Sequence, residues 1–150
     1  MIYFAYGSNM EEARMCKRCP SARFLFIARL DGFKLDFTHY STTNKCGAAD
    51  ILPDGCGVVW GVIYHIKEEH RAALERAEGV PVNAYKSFTV DVHPDGDRAQ
   101  RIKAVSYVVV NKKDPRPLPN AEYKARIVNG AKAWNLPENY IAELESIAVV

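Results

Sequence analysis

The chain has 150 residues, 48% of them hydrophobic, and its twenty Lys and Arg against eighteen Asp and Glu leave a formal charge of +2. That length supports one domain with a real core, residues 1–150, and argues against two, so one site is the natural expectation. The charges are interspersed apart from a modest basic cluster at Lys17 and Arg18, which indicates no nucleic-acid partner, and no apolar window approaches the eighteen or so residues that a membrane span needs.

No basic region precedes a long apolar run at the N-terminus, so a soluble cytoplasmic protein is expected. Four cysteines fit that compartment as free thiols. Cys16 and Cys19 have the spacing of a metal or redox pair, but Cys46 and Cys56 make no second close pair, and His39, His65, His70 and His93 show no ligand spacing near them. No metal site is expected.

Taken in chain order, residues 2–6 read as an apolar strand that runs directly into Gly7-Ser8-Asn9 and then into a helix from Glu11 to Arg18 with its charges outward, ended by Cys19-Pro20. Such a junction is a potential anion site. Gly7 permits a positive φ or a close backbone approach, Ser8 and Asn9 are good N-cap residues, and the first N–H groups of the helix lack partners in the chain. The plainer reading is a strand-turn-helix corner in which Ser8 or Asn9 only caps.

From Phe24 to Phe37 the residues alternate with a period of two, interrupted at Asp31-Gly32, giving either a strand pair or one long bent strand. Thr38 to Lys45 is polar without periodicity and is the expected mobile loop over the site. Cys56 to Ile66 is apolar on both alternating sets and should lie mid-sheet. Tyr85–Val92 and Ile102–Val110 form a hairpin around Pro94-Asp95-Gly96. Pro115, Pro117 and Pro119 stiffen a connector to a helix over 121–135, with Tyr123, Ile127, Ala131 and Trp134 on one face, and Pro137 opens a last helix through Ile147.

Between the central strand and Gly79, Ile66, His70, Ala73, Leu74 and Ala77 make a helical apolar stripe, and Gly79 fits the C-terminal cap. At about 100° per residue Glu78 falls at the edge of that stripe, whereas Glu75 points to water. Burial and the negative end of the helix dipole should both raise the pKa of Glu78, which suits a group that takes up and returns a proton near neutral pH. The competing reading is a surface glutamate at a helix end. His65 and His70 read as structural histidines, and Ser8 lacks the G-x-S-x-G elbow of a serine hydrolase.

The strings YFAYGSN, ARLDGFKLDF, VVWGVIYHI, LERAEGV and NGAKAWNLPENYIAELESI resemble, in matching order over nearly the whole chain, the gamma-glutamylcyclotransferase (AIG2-like) family. The YGSN turn paired with a later EGV tripeptide is its most specific mark. The resemblance implies an α+β fold, a single-domain mixed β-barrel with peripheral α-helices. It also implies a cofactor-free intramolecular reaction in which the amine of a gamma-glutamyl group attacks its own side-chain carbonyl, releasing 5-oxoproline and an amino acid or amine.

By the same resemblance Glu78 is the catalytic proton shuttle. Tyr3, Phe4, Ala5, Tyr6, Gly7 and Ser8 hold the substrate, with backbone N–H groups on its alpha-carboxylate, and Tyr123 touches it. Family members often carry Asp where this chain has Glu75, so the charge is retained. Tyr85 and Tyr107 are further candidates to line the pocket, against plain packing. The implied partner is a small gamma-glutamyl molecule, with a homodimer left open. Two alternatives remain at this stage: a gamma-glutamyl amine as substrate, or a non-catalytic binding module of the same fold.

Overall fold

A computed structural model describes residues 1–150 throughout. The elements are β1 (Ile2–Ala5), α1 (Glu12–Arg18), β2 (Arg23–Ser41), β3 (Cys46–His65), α2 (Arg71–Ala77), β4 (Tyr85–Pro94), β5 (Ile102–Val109), α3 (Ala121–Ala133) and α4 (Glu138–Glu145). Short 3-10 turns occupy Ser8–Met10, Glu68–His70 and Val80–Val82. The strands close into a barrel in the order β1-β3-β2-β4-β5. All neighbours are antiparallel except at the seam, where β1 meets β5 in parallel at Tyr3 and Val105. This is the expected mixed barrel, with the third strand between the first and second.

The 24–37 alternation is one long bent strand. β2 slips register against β3 between Asp31 and Phe33, and Gly32 makes the bend at φ +82°, a conformation without cost only for glycine. Half of the expected loop over Thr38–Lys45 is strand. β2 continues to Ser41, and only Thr42–Lys45 turn before β3 begins at Cys46. The polar residues are tolerated there because they have partners. Thr38 and Asp50 are fully buried, Thr38 Oγ1 donates to Asp50 Oδ2 at 2.7 Å, and Asp50 also accepts from Val109 N–H at 3.0 Å and Lys112 Nζ at 2.8 Å. The turn itself is tied to α3, with Asn120 Nδ2 and Arg126 Nη1 donating to the carbonyl and side-chain oxygens of Asn44 at 3.1 and 3.2 Å.

α3 starts where Asn120 caps it, its side chain accepting from Tyr123 N–H at 2.8 Å. Ile127 and Ala131 face the core. A Cβ on Gly130 would come within 2.8 Å of the backbone at Met10 and Glu11, so glycine lets the helix press on the turn after β1. Trp134 stacks on Phe24 with ring centroids 3.8 Å apart and donates from Nε1 to Met10 O at 2.9 Å. Tyr64 of β3 donates to Asn9 O at 3.0 Å. The turn over 7–11 is therefore clamped by a strand and a helix. No helix is long and apolar enough to cross a membrane.

Candidate active site

The turn after β1, the end of α2, the tip of the β2–β3 hairpin and the facing parts of β4, β5 and α3 enclose a cleft of about 610 Å³. Glu78 closes α2 as its C-cap, and Gly79 follows in the left-handed region at φ +71°, ending the helix as the sequence requires. The Glu78 side chain is only 14% exposed. Its Oε1 accepts from Asn9 Nδ2 at 2.8 Å and lies 3.5 Å from Arg18 Nη1. Burial raises its pKa above the ordinary carboxylate value, and Arg18, Asn9, Arg14 and Tyr3 offset that rise without cancelling it.

Glu78 is the one acidic side chain lining the cleft, against the cations Arg14, Arg18, Arg76 and Lys113. Two buried polar atoms of the lining residues lack protein partners, Asn9 Oδ1 and Arg14 Nε. Beside the exposed Tyr40, five buried phenols complete the walls: Tyr3, Tyr6, Tyr85, Tyr107 and Tyr123. Burial lifts the pKa of each, so all are neutral hydrogen-bonding groups at neutral pH. Tyr123 Oη accepts from Ala49 N–H at 3.0 Å while Tyr85 Oη donates to Ala49 O at 2.7 Å, so one residue of β3 holds both rings. In the turn, the first 3-10 bonds run from Met10 N–H to Gly7 O and from Glu11 N–H to Ser8 O. The N–H groups of Gly7, Ser8 and Asn9 precede these bonds.

The AIG2-like family model matches residues 58–144. Gamma-glutamylcyclotransferases of Bos taurus and Homo sapiens are 37% and 35% identical to this chain, each alignment covering 97% of it and 78% of the relative. The chain belongs to the gamma-glutamylcyclotransferase family. A solved gamma-glutamyl cyclotransferase superposes with a TM-score of 0.93 at 34% identity, covering 100% of this chain and 89% of that one. Its barrel and helices are thus those of an enzyme family.

In this gamma-glutamylcyclotransferase-family chain, Tyr3, Tyr6, Gly7, Ser8, Glu78 and Tyr123 come together around the cleft, as do Tyr85 and Tyr107. Phe4 and Ala5 do not line it. Both are buried in the core, Phe4 beneath Gly61 on the face opposite Tyr3 and Ala5 paired with Val62. Gly7 adopts φ −118°, not a positive value. Its role is close approach, since a Cβ there would lie 3.2 Å from Ala49 Cβ. Neither Ser8 nor Asn9 caps by its side chain: the 3-10 turn intervenes, and α1 starts after Glu11 with no side-chain cap.

Glu75 does not face water. Its side chain is 24% exposed and accepts from Tyr107 Oη of β5 at 2.8 Å and from Arg71 Nε at 3.0 Å. Partial burial pulls its pKa upward, but Tyr107 and Arg71 outweigh that and hold it below the ordinary value. Arg14, Arg18 and His39 are lining residues that the sequence reading did not place in the site, and Asn9, read there as a cap, lines it as well. The i, i+4 spacing of Arg14 and Arg18 puts them on a shared face without saying which way it turns. His39 sets its ring against Tyr85, and burial followed by Lys113 lowers its pKa, leaving it neutral. His70 pairs instead with the Ser21 hydroxyl, a structural contact.

Proposed function

We propose that this chain cyclises gamma-glutamyl amino acids to 5-oxoproline, with Glu78 as the proton shuttle and the Gly7–Ser8 turn as the anchor of the alpha-carboxylate. The observation that carries this reading is a single, largely buried carboxylate, raised in pKa and hydrogen-bonded in place, inside a cleft whose other charged groups are all cations. Glu78 takes a proton from the substrate ammonium, and the freed amine attacks the gamma carbonyl carbon to close a five-membered ring. The attacking nitrogen gives up a second proton as the amide C–N bond breaks. Both protons end on the leaving nitrogen, which departs as an ammonium, so Glu78 finishes as it began. A proton acceptor with a raised pKa lies nearer to the group it serves, which lowers the cost of each transfer.

The excess of cations favours an amino acid over an amine as leaving group. A gamma-glutamyl amino acid has two carboxylates and one ammonium, whereas a gamma-glutamyl group on a lysine side chain carries a second ammonium that Arg14, Arg18, Arg76 and Lys113 repel. The test is to incubate purified protein with a gamma-glutamyl dipeptide, a gamma-glutamyl alkylamide, gamma-glutamyl-lysine linked through the side chain, and glutathione, measuring 5-oxoproline. Turnover of the dipeptide well above both amine-derived substrates is expected. Absence of 5-oxoproline from every substrate overturns the reaction, and equal turnover of the amine-derived substrates overturns the choice of leaving group.

A further inference from the structure

We propose that Asn9 is the positioning residue of the proton shuttle, its one amide nitrogen holding the Glu78 carboxylate and the Tyr3 hydroxyl in fixed register. The proposal rests on the assignment of Glu78 made above. Asn9 is 4% exposed, and its Nδ2 donates to Glu78 Oε1 at 2.8 Å and to Tyr3 Oη at 2.9 Å. A side-chain amide has two N–H donors, so both are committed. Because the Tyr3 oxygen accepts from Asn9, the phenol keeps its own proton for another acceptor in the cleft.

The bland reading of such a residue in a helix-entry turn is a cap, and the structure removes it. No side-chain cap bond exists at either the 3-10 turn or α1. Asn9 Oδ1 has no protein partner although it is buried, an arrangement that folding alone disfavours. The side chain is thus oriented by its donor end. The backbone of Asn9 is fixed from behind by Tyr64, and that of the next residue by Trp134, so the amide is aimed by the scaffold and not by the group it contacts.

A donor on a carboxylate favours its charged form and opposes the effect of burial. Asn9 therefore keeps Glu78 ionisable as well as aligned. The other titratable groups facing Glu78 are Arg14 and Arg18 from α1, Tyr3 and Tyr6 from β1 and its turn, Tyr85 and Tyr107 from β4 and β5, and Tyr123 from α3. The arginines act in the same direction as Asn9. The phenols are neutral and do not titrate in the working range.

The experiment compares wild type, Asn9→Leu, Tyr3→Phe and the double variant, with Asn9→Ser, too short to reach both partners, used if Asn9→Leu does not fold. Loss of the amide should lower kcat by on the order of 10- to 100-fold through misplacement of the base, leave KM within about three-fold, and move the acid limb of the kcat/KM profile to higher pH. The double variant should be no worse than about two-fold below Asn9→Leu, because the two single changes break one unit. A carbon-13 titration of the Glu78 carboxyl in the ligand-free protein, assigned with Glu78→Gln, should show the same upward movement independently of activity. An unmoved titration in a folded Asn9 variant, or fully multiplicative losses in the double variant, overturns the proposal. Full activity of Glu78→Gln would instead mean that the Glu78 assignment itself had failed.

Discussion

Replacing Glu78 by glutamine keeps the side-chain length and an oxygen to accept from Asn9 Nδ2, now at 2.8 Å, while removing the capacity to carry a proton. A positioned acid-base group contributes on the order of 10² to 10⁴ in rate, so kcat should fall by that factor, equivalent to roughly 3 to 5 kcal/mol of barrier. Stability should move the other way. Lost attraction to Arg18 at 3.5 Å, between side chains 21% and 14% exposed, costs on the order of 1 kcal/mol, but burial of the charge outweighs all its compensations, since the net pKa is raised. Each unit of such a rise is about 1.4 kcal/mol against the charged form. A gain on the order of 1 kcal/mol corresponds to about 2–4 °C in Tm for a chain of this size. With a raised folded pKa, the favourable contribution of wild-type Glu78 is complete below its unfolded value and is lost as pH rises through the folded one. The variant should therefore melt higher than wild type above neutrality and equally at pH about 4. Melting curves at both pH values, beside 5-oxoproline assays, test this. A variant that melts lower at high pH, or keeps more than about a tenth of the activity, refutes the reasoning.

Glu75→Gln should behave oppositely: its lowered pKa makes the charged form stabilising above the ordinary carboxylate range and that stability is lost as pH falls, so the variant should lose on the order of 1 kcal/mol at neutral pH and little in acid, with activity kept within several-fold of wild type. Gly7→Val should abolish turnover while the domain still folds, because its Cβ lies 3.2 Å from Ala49 Cβ and branches toward the residue that holds Tyr85 and Tyr123; circular dichroism with activity checks it. Asp50→Ala strips the acceptor from Thr38, Val109 and Lys112 and should cost about 3–5 kcal/mol, as breaking a buried ion pair does, read as a lower midpoint in urea at unchanged m.

Periodicity exposed the strands wherever one face meets the core and the other does not, as in Phe33–Phe37, and the helix leading to Glu78 was legible because Leu74 and Gly79 mark its inner face and its end. The stretch Cys46–Ile51 was not, since small residues and a buried Asp50 do not look like a strand until Thr38, Val109 and Lys112 arrive from distant parts of the chain. The same limit hid Arg14 and Arg18: on a seven-residue helix with charges at most positions, local sequence does not say which charges turn inward. It also misplaced Glu75, whose partner Tyr107 belongs to β5, beyond β4 and the hairpin loop. Phe4 and Ala5 lie within a motif whose other residues line the cleft, and only the structure shows that these two serve the core.

The seam of the barrel has a consequence for biogenesis. β1 is made before both of its partners, Val62–His65 in β3 and Val105 in β5, so the strand that carries the site's N-terminal turn waits for later parts of the chain. The β2–β3 hairpin closes locally and early by comparison. The barrel closes only when β5 reaches β1, and the same strand brings Tyr107 to Glu75 and the cleft wall. Activity in this architecture doubles as a report of finished folding.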